Sequence, residues 1–122
     1  MSRRAVWLGV CAVGVAVNRR AEAHAKLLSA SPAVGSSISV VPDQLSLLFS
    51  EDLEPIFSTI HVTNEAGLRV DLDDLHLDPQ KSGRLVIGLQ RLPPGVYRVE
   101  WKVSAVDTHK SQGNFTFNVV MT

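Results

Sequence analysis

A chain of 122 residues fits one domain at most, and its 12 basic and 12 acidic side chains exclude the strongly basic surface that neutralises a phosphate backbone. A single cysteine excludes a disulfide framework and a multi-thiolate metal site.

The first element in chain order is an export signal. Ser2, Arg3 and Arg4 form a positive start, Ala5–Val17 is an apolar run, and Ala21-Glu22-Ala23 has the A-x-A form that signal peptidases cut. The run spans 13 residues, whereas a bilayer crossing needs about 20, so a cleavable signal over 1–23 is expected rather than an anchor. Arg3-Arg4 suits a twin-arginine route or an ordinary one. Cys11 follows the bulky Val10 after a very short apolar run, which argues against lipoprotein processing. Cleavage would leave residues 24–122 with 8 basic and 11 acidic side chains, no cysteine and a mildly acidic balance. Nucleic acid is then a poor partner.

The remainder predicts strands. Leu45–Phe49, Thr59–Thr63 and Arg84–Leu89 are short apolar or alternating runs. Val96–Val103 alternates strictly, placing Tyr97, Val99, Trp101 and Val103 on one face, and Asn114–Val119 repeats the period with Phe115, Phe117 and Val119. Trp101 is thereby read as a core residue. Turn signals lie at 32–37, 41–43, 64–67, 78–83 and Pro93-Pro94-Gly95. About seven short strands at this spacing predict an all-β, antiparallel Ig-like or cupredoxin-like sandwich with Greek-key connections. Glu51–Phe57 offers at most one helical turn.

Two places carry candidate chemistry. His24 becomes residue one after cleavage, and its α-amine and imidazole Nδ1 can close a six-membered chelate ring on a metal. The amine titrates near ~7.7–8.0, within reach of displacement by a strong metal. Asp107-Thr108-His109 lies in the expected loop Ser104–Gln112, and residues at i and i+2 of an extended segment point the same way. Asp107 and His109 then offer one oxygen and one nitrogen to a single ion. With His24 this makes an N₃O set, which suits Cu(II) above zinc. Each half has an ordinary alternative: a histidine left by chance at the cut, and a polar turn closed by an Asx-type bond from Asp107.

Several segments resemble the CopC family of periplasmic copper-resistance proteins. They are His24-Ala25-Lys26-Leu27-Leu28-Ser29-Ala30-Ser31-Pro32, Leu47-Leu48-Phe49-Ser50-Glu51, Leu92-Pro93-Pro94-Gly95-Val96-Tyr97-Arg98-Val99-Glu100-Trp101 and Ser104-Ala105-Val106-Asp107-Thr108-His109. Their order covers essentially all of residues 24–122. The resemblance implies a CopC-like domain over that range that binds one Cu(II) per chain through His24, Asp107 and His109, with Glu51 beside the metal as an outer partner or weak ligand. It also implies a role in copper homeostasis or resistance, with sequestration in the periplasm or delivery to a CopD-type inner-membrane importer. Some members carry a methionine-rich loop for Cu(I). Here Glu65–Pro79 holds no methionine, which points to a Cu(II)-only form.

The competing functions are a copper monooxygenase built on a histidine brace and a metal-free Ig-like interaction module. The short chain and the anionic donor Asp107 speak against the first, and the pairing of a terminal His with Asp-x-His speaks against the second. His61, mid-strand, and His76, after Asp71-Leu72-Asp73-Asp74, are set aside as ligands. The acidic run reads as a solvated edge, with Val70, Leu72, Leu75 and Leu77 as core positions.

Overall fold

Alternating apolar side chains need a second layer to cover them, and the chain supplies it by folding into two sheets packed face to face. The structure, a computed structural model, describes residues 25–121. The expected signal, its cleavage point and His24 lie outside the described residues. Eight strands form: β1 Leu27–Ser31, β2 Ser37–Ile38, β3 Gln44–Phe49, β4 Thr59–Thr63, β5 His76–Asp78, β6 Lys81–Gly88, β7 Gly95–Ser104 and β8 Lys110–Val119. One sheet has the order β1-β3-β6-β5 and the other β2-β8-β7-β4. All pairings are antiparallel except β2 with β8. The chain changes sheet between β1 and β2, β2 and β3, β3 and β4, β4 and β5, and β6 and β7. Such crossings are those of a Greek key rather than a simple meander.

The predicted inward positions are the core. Tyr97, Val99, Trp101 and Val103 from β7 and Phe115, Phe117 and Val119 from β8 are buried, facing Leu45, Leu47 and Phe49 from β3 and Leu85 and Ile87 from β6. Phe49 meets Trp101 edge-on with centroids 5.0 Å apart, and Tyr97 stacks on Phe117 at 5.6 Å. Gly113 pairs with Trp101 across the β7–β8 ladder, and a Cβ there would lie 2.5 Å from the indole ring. Only glycine lets the indole lie over β8 at that point. The expected short helical turn is a single 3-10 turn, Pro55–Phe57.

Two expectations change. Leu72 is 53% exposed rather than core; its side chain lies against Gly88 on the surface. The acidic run is not merely a solvated edge, because Asp71 is buried and fully engaged. Its Oδ2 accepts the Val62 N–H at 2.8 Å and the Arg69 Nε–H at 2.8 Å, while its Oδ1 accepts Arg69 Nη2 at 2.8 Å and the Asp73 N–H at 3.0 Å. Asp74 accepts the Gly88 N–H at 2.7 Å. These carboxylates bind backbone N–H groups on the outer edge of β4 and at the end of β6 beyond its pairing with β5. Alternation arguments miss Asp71 because its burial follows from a side-chain bond to a neighbouring strand, not from a period.

Burial alone would raise the Asp71 carboxyl, but the Arg69 guanidinium and the two N–H donors outweigh it and hold the group below its usual value. A depressed native pKa gives stability that is present above the unfolded value near ~3.9 and is lost as pH falls through the native one. Asp71→Ala should therefore lower unfolding free energy by about 2–4 kcal/mol, because it strands a buried N–H and a guanidinium. Chemical denaturation of the Asp71→Asn protein should also show a weaker loss of stability below about pH 4 than wild type. An unchanged acid limb would contradict this account.

Candidate metal centre

The ten-residue pairing of β7 with β8 runs from Gly95↔Val119 to Ser104↔Lys110, so whatever joins these strands is held at one end of the sandwich. The connection is tighter than the expected loop 104–112: only Ala105–His109 lie between the strands. The Ala105 N–H donates to the His109 carbonyl at 2.9 Å and the Thr108 N–H to the Ala105 carbonyl at 2.9 Å. Thr108 has φ 77°, a left-handed conformation that costs a non-glycine residue about 1–2 kcal/mol.

That twist brings Asp107 and His109 together. Asp107 Oδ1 accepts the His109 N–H at 3.1 Å, and its Oδ2 lies 3.2 Å from His109 Nδ1. The segment is not extended as expected; a turn, not an i, i+2 alignment, brings the two side chains together. The Asx-type turn that competes with a ligand pair is present, and it is what aligns the pair. Foremost the His109 N–H, and with it the imidazole, hold the Asp107 carboxyl below its usual value against slight desolvation. The two side chains are 50% and 48% exposed, so solvent reaches both. With Nδ1–H donating to Asp107, the imidazole carries its lone pair on Nε2. A carboxylate on the far ring nitrogen is the usual support for a metal-binding histidine.

The neighbouring segments converge on this end. Leu53 bridges to Ala105, the Val106 N–H donates to the Asp52 carbonyl at 3.0 Å, and the Glu54 N–H donates to the Ser104 carbonyl at 2.8 Å. Ser58 Oγ accepts the Ser104 N–H at 3.1 Å. Glu51 is exposed on this same segment. Among the described residues no three His, Cys, Asp or Glu side chains are arranged to hold an ion, so Glu51 does not complete a set with Asp107 and His109. The beginning of the described chain also arrives here. The Lys26 N–H donates to Ser50 Oγ at 2.9 Å, and Ser111 Oγ donates to the Ala25 carbonyl at 2.8 Å. Sequence reasoning misses both serines, since nothing in a lone serine signals a contact across 86 positions.

The other histidines lie elsewhere. His61 sits on the outer face of β4 opposite Glu100, lining a shallow hollow of about 570 Å³ with Thr59, Lys102 and Asn114. Neither Asp107 nor His109 lines that hollow. The candidate centre is a hairpin tip, not a cavity. His76 Nδ1 lies 2.8 Å from the Asp74 carbonyl. Asp71 and Asp74 are committed to backbone, and among the described residues no three ligand side chains gather around His76. Among the described residues, no helix is long and apolar enough to cross a membrane.

The strain at Thr108 can be tested directly. Thr108→Gly should leave stability unchanged or raise it by about 0.5–1 kcal/mol, the left-handed penalty outweighing the added freedom of the unfolded chain. A thermal melt showing clear destabilisation would mean that the Thr108 side chain makes a contact worth more than the strain.

A family model described as the CopC domain matches residues 27–120. Protein YobA of Escherichia coli K12 is 34% identical over 98 residues, covering 80% of this chain and 79% of that protein. Copper resistance protein C of Pseudomonas syringae pv. tomato is 30% identical, covering 95% of this chain and 96% of its own length. Copper transport protein CutJ of Bacillus subtilis is 30% identical over 98% of this chain, which spans only 22% of CutJ. Among solved structures, CopC from Methylosinus trichosporium OB3b superposes with TM-score 0.73 at 27% identity, covering 79% of this chain and 93% of that one. PcoC from Escherichia coli, described as methionine-rich, gives TM-score 0.70 at 31% identity, covering 80% and 99%. The match across residues 27–120, together with near-full-length similarity to a copper resistance protein, makes this chain a member of the CopC family.

Proposed function

We propose that this chain is exported, cut after Ala23, and binds one Cu(II) in the periplasm through the His24 amine and imidazole, His109 and Asp107. It then sequesters the ion or passes it to an inner-membrane importer of the CopD type. The observation that carries this reading is the Asp107–His109 pair on the β7–β8 hairpin, with Ser111 of the same hairpin bonded to the residue that follows His24. The donor set is nitrogen-rich with one carboxylate, and divalent copper tops the affinity order for such sites. Asp107 serves either as the oxygen donor or, through His109 Nδ1, as the group that orients the ring.

The names of the relatives support a copper-handling role rather than catalysis: two are called copper resistance or copper transport proteins. CutJ bears on delivery, since a segment like this chain forms 22% of a longer protein named for copper transport. A fusion of that kind is what a carrier working with a transporter would produce.

Titration of the exported protein should give one tightly bound Cu(II) with a tetragonal, nitrogen-rich electron paramagnetic resonance spectrum. His109→Ala should weaken binding by at least about tenfold, ~1.4 kcal/mol. His61→Ala and His76→Ala should change it less than about twofold, being distant from the hairpin. Similar losses in all three variants would place the site elsewhere. Affinity should fall on acidification through ~8, as the α-amine takes up the proton that the metal must displace.

Mass spectrometry of the exported protein should find His24 as its first residue. One extra glycine ahead of His24 moves the amine out of the six-membered ring and should lower affinity by at least about tenfold. Unchanged affinity and spectrum in that extended protein would remove the amine from the ligand set.

A further inference from the structure

Ala25 is only 3% exposed although it stands at the very start of the described chain. Two side chains hold this beginning. Ser111 Oγ donates to the Ala25 carbonyl at 2.8 Å. Ser50 grips Lys26 from both sides: its Oγ accepts the Lys26 N–H at 2.9 Å, and its own N–H donates to the Lys26 carbonyl at 2.9 Å. The strand ladder does not do this job unaided, because the register of β1 on β3 shifts between Leu27 and Ser29. The serines also come from different sheets. Ser50 follows the end of β3, and Ser111 lies on β8 two residues beyond His109.

From this we infer that Ser111, assisted by Ser50, is a positioning residue for copper: it fixes the chain start against the β7–β8 hairpin so that residue 24 reaches the same ion as Asp107 and His109. The inference rests on the amino-terminal site proposed above and adds residues that touch no metal. The physical reason is preorganisation. A chain end free in solution loses backbone freedom when a metal immobilises it, and that loss weakens binding. With Ala25 and Lys26 fixed in the fold, the ion has less of the chain's freedom to remove. Ser111 suits the role because one strand then carries both the anchor and, through the hairpin, the two ligands.

The test is a double-mutant cycle on the exported protein, using competitive Cu(II) titration, spectroscopy of the copper form and melting of the metal-free form. Ser111→Ala should weaken Cu(II) binding about three- to tenfold, the range of one net hydrogen bond. Its spectrum should include a component that lacks the terminal donors. Ser111→Thr keeps the hydroxyl and should restore affinity. In a His24→Ala background, which keeps only the amine of the terminal pair, Ser111→Ala should cost less than it does in wild type, since the anchor then places one donor instead of two. Three results would overturn the inference. If Ser111→Ala binds copper as wild type while His24→Ala does not, the anchor fails and the site stands. If the Ser111→Ala loss is undiminished without His24, the serine acts on general stability. If His24→Ala itself leaves affinity unchanged, the amino-terminal site and its anchor fall together.

Discussion

The pairing of β7 with β8 governs the rest of this molecule. Ten consecutive residue pairs, closed by a five-residue connection, fix the direction and the height of the hairpin tip. The inner face of the pair supplies Tyr97, Val99, Trp101, Val103, Phe115, Phe117 and Val119 to the core. Burial of each large side chain contributes roughly 1.5–3 kcal/mol, so the ladder is held from below as well as along its edges. Gly113 belongs to the same constraint. The indole of Trp101 covers it, and a slip of one residue would drive a side chain into that ring and turn the aromatic row to solvent. A site at the tip thus inherits its rigidity from the core without being part of it.

Such an arrangement accounts for how two exposed side chains can form a defined pair. Exposed ion pairs hold weakly in general, because long side chains lose freedom and water screens the charges. Asp107 and His109 avoid part of that loss. One oxygen of Asp107 is fixed by the His109 backbone, and only the other has to meet the ring. The strained Thr108 between them is the means. Segments Ser50–Ser58 and Ala25–Lys26 then close around the tip through backbone bonds and serine hydroxyls, with Leu53 and Ala25 buried in the core beneath.

Most of the fold is legible in the sequence. Strict alternation at Val96–Val103 and Asn114–Val119 identifies the two long strands and their buried faces, because a period of two over that length is the mark of a half-buried strand. The two-residue β2 is not legible, since a pair of residues contains no period. Asp71 escapes a sequence reading because it resembles its exposed neighbours Asp73 and Asp74 and differs only in having Arg69 and the Val62 N–H within reach. In the candidate site, residue types and spacing single out Asp107 and His109 but not the left-handed turn that joins them. The serines that anchor the chain start have no local signal at all, being tertiary contacts of common residues.

The distribution of sulfur bears on which copper ion such a tip suits. Beyond Ala23 the sequence has a single methionine, Met121, and no cysteine. Met121 is 81% exposed and follows the end of β8 opposite the hairpin. At about 3.3 Å per residue along an extended strand, it stands roughly 30 Å from the tip. Among the described residues, soft thioether donors, which favour Cu(I), are therefore absent from the neighbourhood of Asp107 and His109. The PcoC structure of the same fold is described as methionine-rich, so the sandwich accommodates such residues in a relative and does without them here. On the reading proposed above, reduction of the bound ion would leave it with nitrogen and oxygen donors that hold the monovalent state poorly. On that reading, a tip with nitrogen and carboxylate donors and no thioether nearby favours divalent over monovalent copper.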